Sequence, residues 1–159
     1  MSDDDALWGT NDIATFDEVK AAAEALKGYD DILRTPLLLD WPLEVPDKGI
    51  VNIGLKLESL QTTGSFKIRG MRYKLHVSDI EQLKSAGVVT LSAGNAGKAV
   101  SYLGQVTGYS AKVFMPSTAP DDRKVMMESM GSTVVKVPGS ELLDAVAKCI
   151  AEASKDLKY

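Results

Sequence analysis

Apolar and polar residues recur along the chain with two periods, and these periods predict its helices and strands. Residues 15–28, "TFDEVKAAAEALKG", are typical of a helix that begins with a capping box from Thr15 and Glu18 and ends at a glycine. The runs "RTPLLLD" and "IVNIGLKLE", with the turn residues "DKG" between them, predict two strands. Another helix is expected from about Ser65 to His76.

From Ser78 onwards helices and strands alternate regularly. Helices are predicted over "SDIEQLKSAG", "KAVSYLGQVTG", "APDDRKVMMESMG" and "SELLDAVAKCIAEASKDLKY", and strands over "VVTL", "AKVFM" and "TVVKV". Ser78 and Glu81 predict a capping box for the first of these helices, and Ser117 and Thr118 are expected to cap the third. Such alternation is typical of βαβ units. We therefore predict an α/β fold, with a three-layer parallel-sheet unit over about residues 86–157 and a different sheet in the first half.

Composition and charge narrow the possible functions. The chain has 159 residues, of which 45% are hydrophobic and 25% charged, as in an ordinary globular protein. Its net charge of −4 and the absence of basic runs argue against a nucleic-acid or membrane partner. A single cysteine, Cys149, and a single histidine, His76, predict no internal disulfide and no metal site. The acidic N-terminus resembles neither a signal nor a transit peptide, so a cytoplasmic protein is expected.

The turn "LSAGNAGKAV" is one candidate site, because it follows a predicted parallel strand and precedes a helix. Open α/β sheets bind ligands at this edge, and amide groups at a helix start favour an anion. Gly94 and Gly97 allow tight backbone geometry, while Ser92 and Asn95 add polar side chains. The turn matches neither the Walker A nor the dinucleotide motif. A packing turn with Asn95 as an ordinary cap is the competing interpretation, and a nucleotide-binding protein is least favoured.

Lys67 in "TTGSFKIRG" is the other candidate, because a lysine at a helix start meets the positive end of the helix dipole. That field, together with partial burial, would lower the pKa of an amine, as a Schiff-base lysine requires. Phe66 beside it could pack on a flat ring. A solvated lysine next to a core aromatic is the competing interpretation.

Taken together, these segments resemble the serine/threonine dehydratase and serine racemase group of pyridoxal-phosphate (PLP) enzymes, which have the tryptophan-synthase-β fold. "LKLESLQTTGSFKIRG" is similar to the group's lysine motif K-x-E-x-x-Q-x-T-G-S-F-K-x-R-G. "SAGNAGKAV" resembles its S-x-G-N-H-x-x-G-x-A loop, and "VFMPSTAPDDRKVMMESMGSTVV" resembles the stretch that follows. Order and spacing agree from about residue 15 to the end.

The resemblance implies PLP as cofactor and a role for each matching residue. Lys67 would bind PLP as a Schiff base and later remove the α-proton, Phe66 would pack on the cofactor ring, and Asn95 would bond the 3′-oxygen. The substrate would be a small amino acid, bound by its carboxylate. The implied substrate-binding residues are Ser65, Ser92, Ala93, Gly94 and Asn95, with the neighbouring backbone amides.

The implied reaction converts L-serine, L-threonine or a related β-hydroxy amino acid to a 2-oxo acid and ammonia. Ile68 follows the lysine where threonine synthases and sulfhydrylases usually carry an acidic residue, which points to the dehydratase and racemase branch. Racemases of this group place a serine where this chain has Ala93. An ammonia-lyase is therefore favoured over a serine-racemase-type isomerase.

Three departures qualify the resemblance. Ala96 stands where the family usually has histidine, and Thr62 replaces a common proline. Family members are also much longer, and these 159 residues contain no glycine-rich phosphate loop. Residues 1–79 are thus expected to be the N-terminal part of a truncated large PLP domain, and residues 80–157 a complete small α/β domain. The alternative is a non-catalytic paralogue that pairs with a full-length homologue; a homo-oligomer is also expected.

Overall fold

The computed structural model describes residues 14–138 and 146–151 of the chain. The helices are α1 (Phe16–Leu26), α2 (Lys67–His76), α3 (Ile80–Ala86), α4 (Asn95–Thr107) and α5 (Asp121–Ser129). The strands are β1 (Leu37–Val45), β2 (Gly49–Lys56), β3 (Val88–Leu91), β4 (Ala111–Pro116) and β5 (Thr133–Val137). A 3₁₀ turn spans Glu58–Leu60, and residues 146–151 are helical.

Strands β1 and β2 form an antiparallel hairpin that is separate from the other strands. Its pairing runs from Leu37 opposite Lys56 to Val45 opposite Gly49, with a bulge between Leu38 and Trp41. Both predicted strands are confirmed, although β1 continues beyond the predicted stretch because the bulge lets the pairing extend. Several apolar side chains of the hairpin are exposed, namely Leu37, Leu39, Trp41, Leu43 and Ile50.

Strands β3, β4 and β5 form a parallel sheet in that spatial order. Val88 pairs with Ala111 at the start of the sheet, and Pro116 pairs with Val137 at its end. Helices α4 and α5 connect these strands, since parallel neighbours need a crossover. The predicted α/β fold with a parallel sheet is therefore confirmed.

Helix α4 carries much of the buried surface of the described residues. Leu103 is fully buried in a cluster with Leu83 of α3, Val100 and Tyr109. A second cluster lies between β4, α5 and β5 and consists of Val113, Met115, Ala119, Met127 and Val134. Helix α4 also packs against α2 and α5, so it joins the lysine segment to the parallel sheet.

The predicted capping box of α1 is confirmed, whereas that of α3 is wrong. The Thr15 amide donates to Glu18 Oε2 at 2.6 Å, and the Glu18 amide donates back to Thr15 Oγ1 at 3.3 Å. Helix α3 is capped instead by Asp79, which accepts from the amides of residues 81 and 82. The Ser78 hydroxyl donates to the Lys74 carbonyl at 2.7 Å and so closes the end of α2.

The expected caps at Ser117 and Thr118 are also wrong. Pro120 is the residue before α5, and no side chain caps that helix. The Ser117 amide instead donates to the Val137 carbonyl at 2.9 Å, which extends the contact between β4 and β5. Most of the predicted last helix lies outside the described residues. Within it, Cys149 is half-buried against Phe114 and Val137, and this burial raises the pKa of its thiol.

A matched pair of substitutions on α4 tests this packing. Leu103→Ala should lower the free energy of unfolding by about 2–5 kcal/mol, because the removed atoms leave a cavity in the core. Val106→Ala on the same helix should change it by about 0.5 kcal/mol or less, since that side chain is 50% exposed. Urea unfolding followed by circular dichroism measures both. Equal losses in the two variants would contradict this account of the core.

Candidate functional site

Lys67 is the first residue of α2 and follows a tight turn. The turn closes through the Gly64 amide, which donates to the Gln61 carbonyl at 2.6 Å, and Gly64 has a φ of 72° that favours glycine. The Lys67 ammonium lies 5.1 Å from the centroid of the Phe66 ring. Both side chains are exposed, with Phe66 at 56%. The expected partial burial of Lys67 and the interpretation of Phe66 as a core aromatic are therefore wrong.

An ion pair between Glu58 and Arg69 spans the turn. Arg69 donates from Nε to Glu58 Oε2 and from Nη2 to Glu58 Oε1, both at 2.9 Å. Thr35 donates a third bond to Glu58 Oε1 at 2.6 Å. These bonds lower the pKa of Glu58 from 4.5 to about 2, and the bond from Arg69 has the largest effect. Because Glu58 precedes the turn and Arg69 lies two residues after Lys67, the pair fixes where α2 begins.

The turn is also tied to the segment before β1. The Gln61 side chain accepts from the Leu33 amide at 3.1 Å and donates to the Leu33 carbonyl at 2.7 Å, as one strand pairs with another. Arg69 Nη2 donates to the same Leu33 carbonyl at 2.9 Å. Lys56 donates to the Thr35 carbonyl at 2.5 Å. The side chains of Glu58, Gln61 and Arg69 thus hold the turn before Lys67 in place.

Two hydroxyl groups in the turn are buried and have no hydrogen-bond partner among the described residues. These are Thr63 Oγ1 and Ser65 Oγ, on residues that are 2% and 6% exposed. A buried polar atom without a partner is unfavourable and is uncommon in native structures. The two hydroxyls flank Gly64 and lie next to the Phe66–Lys67 pair. Their unused bonding capacity fits a polar ligand at this turn, as predicted for Ser65.

The glycine loop is held by Ser92. The Ser92 hydroxyl accepts from the amides of Gly97 at 2.8 Å and of Gly94 at 3.2 Å. Asn95 is exposed and is the first residue of α4, while Gly94 precedes the helix, so the interpretation of Asn95 as the cap is wrong. The amides of Asn95 and Ala96 have no acceptor within the described residues. They are the N–H groups that this loop can offer to an anion.

The fold brings the lysine turn and the glycine loop together through α2 and α4. The Lys98 ammonium lies 3.6 Å from the point where a Cβ on Gly64 would be. Among the described residues, Lys67, Lys98 and Arg123 have no carboxylate partner within 4 Å. Although the whole chain has a net charge of −4, both turns carry positive charge.

Arg123 is the neighbour of the loop that the sequence did not reveal. It lies on α5, and its Nη1 donates to the Ala93 carbonyl at 2.6 Å. The Ala93 methyl packs against the buried cluster around Val113 and Met115. In the sequence Arg123 is only a basic residue that follows "APDD" in a predicted helix. Its spacing gives no indication that it contacts residue 93.

Comparison with known proteins identifies the family. The family model described as "Pyridoxal-phosphate dependent enzyme" matches residues 29–159. The chain belongs to this family. It is similar to human serine racemase, with 37% identity over 67% of this chain and 32% of the racemase. It is also similar to the catabolic L-threonine dehydratase of Staphylococcus aureus strain USA300, with 34% identity over 79% of this chain and 35% of the dehydratase.

A solved structure supports the fold of this PLP-dependent family member. The processed form of threonine deaminase isoform 2 from Solanum lycopersicum aligns with a TM-score of 0.72 and 31% identity, over 92% of this chain and 40% of that one. The chain spans about a third of the length of the curated relatives it matches. The predicted resemblance and the tryptophan-synthase-β-like PLP fold are confirmed. The predicted domain boundary at residues 79 and 80 stays a prediction.

The residues at the two turns fit PLP. Lys67 offers an exposed amine, Phe66 an exposed ring face, and Ser65 and Thr63 unused hydroxyls. Lys98 adds positive charge that suits an anionic cofactor or its amino-acid partner. Among the described residues, no group of three or more histidine, cysteine or carboxylate side chains could hold a metal ion, and no helix is long and apolar enough to cross a membrane.

The Glu58 ion pair predicts a dependence of stability on pH. Its folded-state pKa of about 2 lies below the ordinary 4.5, so its contribution is complete above pH 4.5 and is lost as the pH falls towards 2. Glu58→Gln should lower the free energy of unfolding at pH 7 by about 1–3 kcal/mol, because Arg69 loses a charged partner. It should also flatten the change in stability between these pH values. Urea titrations at several pH values measure both.

Glu81→Gln provides the matched control. Glu81 pairs with Lys84 at 2.8 Å, but its side chain is 78% exposed. Solvent screens such a pair, so the loss should be about 0.5 kcal/mol or less at every pH. If the two variants had the same stability and pH profile, the Glu58 pair would not support the turn.

Proposed function

We propose that this chain provides the lysine and the amino-acid-binding loop of a PLP-dependent ammonia-lyase, or dehydratase. Its substrate is L-serine, L-threonine or a related β-hydroxy amino acid, and its products are a 2-oxo acid and ammonia. The observation that carries the proposal is the position of Lys67. It is an exposed amine at the start of α2, in the same turn as the Ser65 hydroxyl, which has no partner among the described residues, and Gly64, which Lys98 of α4 approaches.

Lys67 has two tasks in this reaction. Its Nζ would hold the cofactor covalently, and the free amine would serve as the base that takes the proton from the substrate Cα. PLP, when bound, supplies the electron sink that stabilises the resulting negative charge. The Phe66 ring lies beside the amine and offers a flat apolar surface for the cofactor ring. Ion pairing by Glu58 and Arg69 keeps Lys67 at the helix start during these steps.

The glycine loop binds the carboxylate of the substrate. The amides of Asn95 and Ala96 are the donors, and Ser92 keeps the loop closed behind them through its bonds to Gly94 and Gly97. The Ser65 hydroxyl donates to the same carboxylate. The Asn95 side chain is exposed at the helix start, where it would bond the cofactor's ring oxygen.

Ala93 favours a lyase over a racemase. A racemase must deliver a proton to the opposite face of the substrate Cα, which needs a second acid–base group near the loop. Ala93 has only a methyl group, and this methyl packs against the buried cluster around Met115. No proton donor stands at that position.

A second function is favoured by the exposed hairpin. Leu39 and Ile50 are 69% and 73% exposed, and Trp41 is 51% exposed. Exposed large apolar side chains gathered on one hairpin are typical of an interface. A role as a non-catalytic partner of a longer homologue, or as a subunit of a homo-oligomer in the cytoplasm, is therefore the alternative proposal.

Reductive labelling tests the lysine. PLP is added to the purified chain, the visible spectrum is recorded, and borohydride reduction is followed by peptide mapping. We expect a pyridoxyl label on Lys67, and Lys67→Ala should reduce labelling by at least about tenfold, because among the described residues Lys67 is the amine that lies at the start of α2 beside the Phe66 ring. Lys74→Ala, at the exposed far end of the same helix, should label like the wild type.

Oxo-acid release from L-serine and L-threonine then separates the two functions. Labelling with oxo-acid release supports the ammonia-lyase. Labelling without release from either amino acid favours the partner role, and addition of a full-length homologue should then alter the homologue's activity. An equally strong label on Lys67→Ala would refute the assignment of the lysine.

A further inference from the structure

Helix α5 contacts the glycine loop at two points. Arg123 Nη1 donates to the Ala93 carbonyl at 2.6 Å, and Met127 Sδ lies 2.7 Å from the point where a Cβ on Gly97 would be. Arg123 and Met127 are four residues apart, so they lie on one face of the helix. The position of the loop is thus set by α5 as well as by its own helix.

The peptide unit between Ala93 and Gly94 is held from both sides. Its carbonyl accepts from Arg123, and its amide donates to Ser92 Oγ at 3.2 Å. A peptide unit is planar, with its carbonyl and amide pointing in opposite directions. Fixing both groups therefore fixes the plane, and it sets the direction in which the chain enters α4.

This orientation suits a loop that binds an anion. A carbonyl turned towards a carboxylate would repel it, whereas the amides of Asn95 and Ala96 attract it. The Arg123 guanidinium donates a hydrogen bond to the Ala93 carbonyl, so this carbonyl points towards α5. The guanidinium has no carboxylate partner among the described residues. It is exposed, so its remaining donors and its positive charge stay available beside the loop.

We propose that Arg123 is the positioning residue of the substrate-carboxylate loop. By holding the Ala93 carbonyl on the side of α5, it makes the loop present the N–H groups of Asn95 and Ala96 to the carboxylate of the amino acid. Its charge adds to the attraction. The proposal rests on the proposed function in one respect, namely that this loop receives an amino-acid carboxylate.

Titration of the ¹⁵N-labelled full chain, followed by NMR, tests the proposal without any catalytic assay. L-serine is the probe, and L-serinamide is the matched probe without a carboxylate. In the wild type the Asn95 and Ala96 amide signals should move with L-serine and stay in place with L-serinamide. Arg123→Gln, which removes the charge and the fixed fork of donors, should weaken the apparent affinity for L-serine by about tenfold or more.

Two further variants separate positioning from general stability. Arg123→Lys keeps the charge and one donor, and should restore binding to within about threefold of the wild type. Lys124→Gln removes the neighbouring charge, which pairs with Glu128 at 3.7 Å, and should leave binding unchanged. The proposal is overturned if Arg123→Gln binds L-serine like the wild type, if Lys124→Gln weakens binding equally, or if L-serinamide moves the same signals.

Reductive labelling of the same samples with PLP distinguishes the two proposals. Loss of L-serine binding in Arg123→Gln with normal labelling of Lys67 supports the role of Arg123 within the proposed function. The same loss in a chain that PLP never labels at Lys67 supports Arg123 while the lyase proposal fails. Normal labelling with unchanged L-serine binding overturns the role of Arg123 alone.

Discussion

The position of Lys67 depends on the ion pair between Glu58 and Arg69. The pair joins the chain before the turn to the first turn of α2, and the low pKa of Glu58 means that it stays ionised in all but strong acid. Arg69 also bonds the Leu33 carbonyl, and Gln61 pairs with the same backbone unit. The turn is therefore fixed by side chains that bond to a neighbouring segment, and the lysine itself is exposed and has no carboxylate partner among the described residues.

Helix α4 connects the lysine turn to the parallel sheet through its packing contacts. It packs on both α2 and α5. Its Lys98 approaches Gly64 in the turn before α2, and a Cβ on its Gly97 would lie 2.7 Å from Met127 Sδ of α5. The glycines thus serve close approach between elements, whereas the anion binding that we propose for the loop would use the amides of Asn95 and Ala96 at the helix start. The packing interpretation of this turn is confirmed at Gly97, and the anion binding that we propose involves different atoms of the same loop, so the two are compatible.

The sequence predicted the order and type of the elements because hydrophobic periodicity is a local property. It could not decide between adjacent residues with similar capping ability, so Asp79 caps α3 where Ser78 was expected. The exposure of Lys67 and Phe66 depends on which elements cover the turn, and local spacing does not contain that information. The contact from Arg123 to Ala93 joins residues 30 positions apart through the packing of α5, which no motif encodes.

The charge near the two turns differs from the net charge of the whole chain. A net charge of −4 argues against a polyanionic partner, since a polyanion meets the field of the whole surface. A small anion meets only the groups within about 8–10 Å, because salt screens the more distant ones. Near the two turns those groups include Lys67, Lys98 and Arg123, none of which has a carboxylate partner among the described residues. An acidic protein can therefore offer a basic site, and cations without a carboxylate partner among the described residues support the small anionic ligand that we propose.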